Sequence, residues 1–193
     1  MGITVNGEKP KVTPVENFQL EDYMGKWYNI ANLPFFWQVN GSKDGTAEYD
    51  LKTDKSGKKY VKVVNSETLP VIPIRNSATG QATVDDEANG KGLLTVSFKP
   101  FGEPITNQGN YIVLDTDYKN YAFVWSCRES KSWFGDKISN KPALWILSRQ
   151  KCWKKEDVKE LINSACAFVS KDNPDYDIEK IKNSMNIMQH SCE

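Results

Sequence analysis

After Asn17-Phe18 the chain alternates short apolar-rich segments with clusters of Gly, Asn, Asp, Lys and Pro, the punctuation of an all-β chain. Eight segments read as strands: roughly 25–33, 45–54, 59–66, 77–86, 91–99, 109–116, 120–128 and 142–149. Successive side chains of a strand point to opposite faces, so a period of two separates a buried face from a wet one. Leu94, Val96 and Phe98 share one face against Thr95 and Ser97, and Ala47, Tyr49 and Leu51 alternate with Glu48, Asp50 and Lys52. Those two strands read as half-buried. The last two are apolar on both faces: Ala122, Val124 and Ser126 oppose Tyr121, Phe123 and Trp125, while Ala143, Trp145 and Leu147 oppose Leu144 and Ile146. Strands buried on both sides need cover on the outside.

Residues 155–170 supply that cover. Val158, Leu161, Ile162, Ala165, Cys166 and Val169 fall on one helical face, with Lys159, Glu160, Asn163 and Ser164 turned away. No proline interrupts the segment, and Pro174 follows shortly after it. Eight antiparallel strands with one such helix predict an all-β fold, an up-and-down barrel whose lumen has room for one small ligand. Strand counting alone leaves a β-sandwich open as well. The division that follows is an N-terminal arm at 1–16, a barrel at 17–150 and a C-terminal helix and tail at 151–193.

Composition removes several function classes. The formal net charge is zero and the pI near 6.6, so no global field recruits nucleic acid or an anionic membrane. No run of eighteen apolar residues exists for a helical membrane span. The start, Met1-Gly2-Ile3-Thr4-Val5-Asn6, does not read as a signal peptide, so a secreted protein is expected to have had its signal removed. Four cysteines suit two disulfides and an oxidising, secreted or lumenal compartment; four reduced thiols in a cytosolic protein are the alternative. No C-x-x-C pair occurs and the single histidine, His190, sits near the C-terminus, so no metal ligand set and no cofactor are expected.

Three short motifs then narrow the fold. Asn17-Phe18 followed by Gly25-Lys26-Trp27-Tyr28 resembles the lipocalin G-x-W signature at the start of the first barrel strand. Asp115-Thr116-Asp117-Tyr118, running into Asn120-Tyr121-Ala122, is similar to that family's T-D-Y turn. Leu144-Trp145-Ile146-Leu147-Ser148-Arg149 is similar to its last-strand motif ending in arginine. The wording is closest to the branch that contains apolipoprotein D, bacterial lipocalin, insect bilin-binding proteins and crustacyanins. The resemblance implies that Trp27 plugs a closed end of the barrel with Arg149 across its face, Gly25 permitting the tight entry. Asp117 and Tyr118 then turn the chain at the same end. These residues identify the fold and carry no information about a ligand.

The ligand expectation rests on the inner face. By parity with Trp27, Asn29 points inward, where the family usually has glutamate. Tyr49, Asn65, Phe98, Tyr111, Val124 and Trp145 match inward positions that line the pocket in those relatives, and Val96 shares the face of Phe98. Such a wall suits an apolar ligand with one polar end. The same residues simply filling a small barrel is the plainer reading; the alternation of aromatics with Ala47, Ala122 and Ala143 favours a cavity. At the family's open end the loop Leu33-Pro34-Phe35-Phe36-Trp37-Gln38 and the pair Trp133-Phe134 place aromatics around one rim. Phe36, Trp37 and Trp133 are expected to form a lid first, a contact between copies of the chain second or a weak membrane contact third, with a plain buried loop cluster as the alternative to all three.

The family's usual bridges do not carry over, since Lys9 and Asp44 stand near positions where relatives have cysteines. Cys152 and Cys166 lie fourteen residues apart, about 20 Å if helical, which is beyond a bridge. Cys127 is expected at the open rim and Cys152 at the closed end, which leaves Cys127–Cys166 and Cys152–Cys192. The function implied is carriage or sequestration of a small hydrophobic molecule of fatty acid, sterol, retinoid, bilin or carotenoid type. The alternatives are an oligomer-forming interaction protein with a vestigial pocket, and a lipocalin-type isomerase or de-epoxidase. Catalysis is disfavoured and no catalytic residue is assigned: Cys127 points outward, no histidine lies in the barrel region, and Asn29 replaces an acid.

Overall fold

The barrel closes because each strand pairs antiparallel with the next and the last returns to the first. A computed structural model describes residues 3–33, 41–72, 74–84, 88–98, 110–131, 138–188, 190 and 192. In chain order the elements are β1 (Val5–Asn6), α1 (Leu20–Tyr23), β2 (Gly25–Leu33), β3 (Lys43–Thr53), β4 (Lys59–Thr68) and β5 (Arg75–Val84). They continue as β6 (Leu93–Phe98), β7 (Tyr111–Thr116), β8 (Tyr121–Lys131), β9 (Ile138–Ser148), α2 (Lys155–Ser170), α3 (Ile178–Ser184) and β10 (Asn186–Ile187). Strands β2 to β9 form the eight staves, and β9 closes on β2 from Tyr28↔Ser148 to Leu33↔Leu144. Each predicted strand and the helix at 155–170 are present, with strand ends displaced by a few residues.

Two short strands finish the seams. β1 lies on β9 through Val5↔Asn140 and Asn6↔Ser139, so the N-terminal arm is pinned to the wall. β10 lies on β2 through Asn186↔Asn32 and Ile187↔Ala31, beyond the stretch where β2 pairs with β3. Neither pairing is visible as a periodicity, because two residues carry none.

Two apolar layers result. Inside the barrel, Trp27, Tyr49, Val61, Val63, Leu94, Val113, Val124 and Leu147 form one buried cluster. Outside it, Ile30, Leu33, Phe123, Trp125, Leu144 and Ile146 pack beneath Val158, Ile162, Ala165, Cys166 and Val169 of α2. The doubly apolar strands β8 and β9 are thus the ones the helix covers. Each buried side chain of this size contributes on the order of 1.5–3 kcal/mol.

The cysteines require one correction. Cys152 and Cys192 are bridged, Cα atoms 6.0 Å apart. Cys127 and Cys166 are free thiols, so the expected second bridge is absent. Cys166 is fully buried between α2 and the barrel. Against Cys127 stand other partners: its thiol donates to Asn140 Oδ1 at 3.5 Å, and the Tyr176 hydroxyl donates to the same oxygen at 2.6 Å.

Candidate lumen site

The closed end is assembled from the motif residues. Gly25 adopts φ +90°, a left-handed conformation that glycine tolerates without strain. The guanidinium of Arg149 lies 3.7 Å from the centroid of the Trp27 ring, a cation–π contact of about 0.5–2 kcal/mol. Its nitrogens donate to the carbonyls of Tyr118 (3.1 Å), Lys26 (2.9 Å), Asp22 (3.0 Å) and Met24 (2.8 Å). One side chain therefore ties the chain entering β2, the β7–β8 turn and the end of β9. In that turn Asp117 Oδ1 accepts from the amides of Lys119, Asn120 and Tyr121. Burial pushes the Asp117 carboxyl up, but these bonds outweigh it and hold it below the usual carboxylate range.

Above the plug sits a group that the strand pattern did not reveal. Tyr23, the last residue of α1, accepts from Trp27 Nε1 through its carbonyl at 2.8 Å and turns its ring onto Trp27 and Tyr49. Its hydroxyl is 2.8 Å from that of Tyr111, which is 2.9 Å from that of Tyr49. Three phenols from α1, β3 and β7 thus converge at the lumen floor. Burial drives all three well up, Tyr49 to about 12, so each stays a neutral phenol at physiological pH.

The walls rise from there. Trp27 pairs with Ala47, Ala47 with Asn65, and Asn65 with Ala78, so these four share the inner face. Asn65 and Ala78 are exposed there, and Val96, Phe98, Tyr111 and Trp145 keep part of their surface accessible, whereas Val61, Val63, Val113 and Val124 lower or deeper in the wall are buried. The Phe98 ring lies over Gly80, where an added Cβ would meet Phe98 Cδ1 at 2.8 Å and the Ser97 carbonyl at 2.5 Å. Gly80 is the notch that lets this aromatic lie flat on the wall.

Asn29 pairs with Leu147 and is buried on the inner side, with Oδ1 meeting no partner among the described residues. Beyond it Ile30 forms a bulge, after which Ala31 pairs with Ile146 and Asn32 with Trp145. The bulge reverses parity, so Asn32 rather than Leu33 shares the face of Trp145. The C-terminal tail seals this seam. His190 Nε2 donates to the Asn29 carbonyl at 2.9 Å, its ring edge meets Tyr28, and Met188 Cε fills the space left by Gly45. A separate groove of about 890 Å³ runs along the tail outside the lumen, lined by Ile30, Trp153, Val158 and Met188 with Lys43, Lys151 and Lys155.

Eight inner-face residues expected from sequence, Asn29, Tyr49, Asn65, Val96, Phe98, Tyr111, Val124 and Trp145, therefore sit on the barrel's inner side, by register or in its cluster. The rim residues Phe36, Trp37 and Trp133 lie outside the described residues. Tyr23 and Asn32 were missed: one precedes the first strand in a single helical turn, the other follows a bulge.

Comparison with known proteins places this geometry. A family model described as a lipocalin-like domain matches residues 18–184. The Lazarillo protein of Schistocerca americana is 33% identical over 139 residues, which is 72% of this chain and 59% of that protein's length. The bilin-binding protein of Pieris brassicae is 32% identical over 146 residues, 76% of this chain and 69% of its own. The crystal structure of insecticyanin from the tobacco hornworm Manduca sexta superposes with a TM-score of 0.71 at 25% identity, covering 99% of this chain and 94% of that one.

Proposed function

The chain belongs to the lipocalin family, and from that premise we propose that it binds a small hydrophobic molecule in the barrel lumen and carries or sequesters it. One observation supports this above the rest: Asn65 and Ala78 are exposed and Phe98 and Trp145 partly so on the inner face of a closed barrel, above a plugged floor. A barrel filled by its own side chains would bury them. The lining we assign is Asn29, Tyr49, Asn65, Val96, Phe98, Tyr111, Val124 and Trp145. A flat or elongated apolar ligand with one polar end fits such a wall, and one relative is by name a bilin-binding protein.

Binding rather than catalysis is the reading. The two free thiols are pushed up by burial, Cys127 to about 12 and Cys166 to about 11, and Cys166 is sealed under the helix, so neither serves as a thiolate nucleophile at neutral pH. The Cys152–Cys192 bridge supports a secreted or lumenal setting. Titration with a neutral naphthylamine fluorophore is expected to saturate at one site per chain. Substituting Ala78→Trp, which fills the lumen, should weaken that binding at least about tenfold. Unchanged binding in A78W would place the fluorophore elsewhere and sink the reading.

A second reading, contact between copies through the open rim, is favoured by Val71 (89% exposed), Ile72 and Ile74 in the β4–β5 loop at that end. Sedimentation velocity of the native chain against Val71→Asp tests it.

A further inference from the structure

The floor phenols can be counted. Three hydroxyls carry three hydrogens, and the two contacts Tyr23···Tyr111 and Tyr49···Tyr111 consume two of them. Whichever way the two bonds run, one O–H remains with no acceptor among the described residues. A buried donor left in that state costs about 1–3 kcal/mol. Tyr23 and Tyr49 are 2% and 6% exposed, while Tyr111 keeps accessible surface on the inner face. The arrangement of lowest cost has Tyr23 and Tyr49 both donating to Tyr111. The spare hydrogen then sits on Tyr111, the one of the three residues that keeps accessible surface.

The charge beneath points the same way. Arg149 spends its donors on backbone carbonyls, and no carboxylate among the described residues lies within ion-pair distance of it. Its positive charge is felt by Tyr23 and Tyr49 above it. An electron-rich atom at the floor is stabilised by that field, and a cation is repelled.

We propose that the Tyr23–Tyr111–Tyr49 cluster is the polar anchor of the lumen. It donates one hydrogen bond to the ligand and selects apolar molecules that end in an acceptor, a carbonyl, ester or carboxylate, over those ending in an alkane or an ammonium. The inference rests on the lumen being the binding site. It assigns to Tyr23, which lies outside every strand, a share in specificity. Burial keeps all three phenols protonated, which is the state in which they donate. The same count explains why one phenol alone would not serve: two flanking hydroxyls fix the direction of the third.

The test uses the neutral pair methyl dodecanoate and tetradecane, similar in length, with dodecylamine as the cation, each displacing the naphthylamine fluorophore from the whole chain. The ester-to-alkane affinity ratio is read in the native protein and in the triple variant Tyr23→Phe, Tyr49→Phe, Tyr111→Phe, which keeps the rings and removes every hydroxyl. The ratio is expected to fall about tenfold in the variant, and dodecylamine to be the weakest ligand of the native protein. Infrared spectra of the carbonyl-labelled ester bound to the native protein supply a measurement that needs no variant: the stretch should lie below its position in alkane solvent. An unchanged ratio, or a carbonyl at its alkane position, overturns the anchor while leaving lumen binding intact. Failure of the fluorophore itself to bind overturns the lumen reading, and the anchor with it.

Discussion

Arg149 shows how much one residue can hold. Its planar fork reaches four carbonyls from two separate segments while its face covers Trp27, an arrangement that a lysine cannot copy. Arg149→Lys keeps the charge and loses the fork and the stacking. It is expected to lower unfolding stability by about 3 kcal/mol, since hydrogen bonds to a charged group contribute about 1.5–3 kcal/mol each and lysine recovers part of them. Urea denaturation measures it; a loss below about 1 kcal/mol would mean that the field of the charge, not its geometry, holds the floor. This residue and Trp27 were legible in the sequence because motif spacing puts them at opposite ends of the barrel chain yet at one end of the barrel. Tyr23 was not. Its role arises only when α1 folds back over Trp27, a contact that no period along the chain announces.

At the scale of elements, periodicity served wherever a stave was long enough to alternate many times. Strands β3, β4 and β8 keep one parity throughout their lumen-facing stretches, so Tyr49, Asn65 and Val124 were assignable to the inner face from sequence. β2 fails the same logic halfway, because the bulge at Ile30 inserts one residue and hands the inner face to Asn32. The tail was equally hidden: β10 has two residues, and its hold on the barrel comes from Met188, His190 and the bridge at Cys192. That bridge closes a sequence separation of 40 residues. Removing it as Cys152→Ser with Cys192→Ser is expected to cost about 2–4 kcal/mol, chiefly through the unfolded chain. Hydrogen exchange should locate the change: the Met188 amide, bonded to the Ile30 carbonyl at 2.9 Å, loses protection, while the β3–β4 amides fall only by the global loss. Equal loss of protection everywhere would mean that the tail is not a separable clasp.

For the whole molecule, the pattern of buried ionisable groups sets how stability varies with pH. The two free thiols and the floor tyrosines are buried in their neutral forms, and burial raises each above its ordinary value. A raised folded value means that the folded protein keeps its proton where the unfolded chain has lost it. The stabilisation is therefore complete below the unfolded values of 9.0 for the thiols and 10.0 for the phenols, and it drains away as pH rises past them. Each such group contributes a slope of about 1.4 kcal/mol per pH unit between its two values. Through neutrality the curve is expected to be flat from these groups; above about pH 9 it bends down, and above about pH 10 it steepens as the three floor phenols, with Tyr121 and Tyr176, join the thiols. The triple Phe substitution at the floor removes three titrating groups at once, so its curve should keep the bend near 9 and the part of the steepening near 10 that Tyr121 and Tyr176 supply, and lose the part owed to the floor. Urea midpoints across the alkaline range separate the two contributions. A native curve no steeper than the variant's above about pH 10 would show that the floor phenols titrate in the folded barrel as they do in the unfolded chain, and would argue against a protonated donor cluster beneath the ligand.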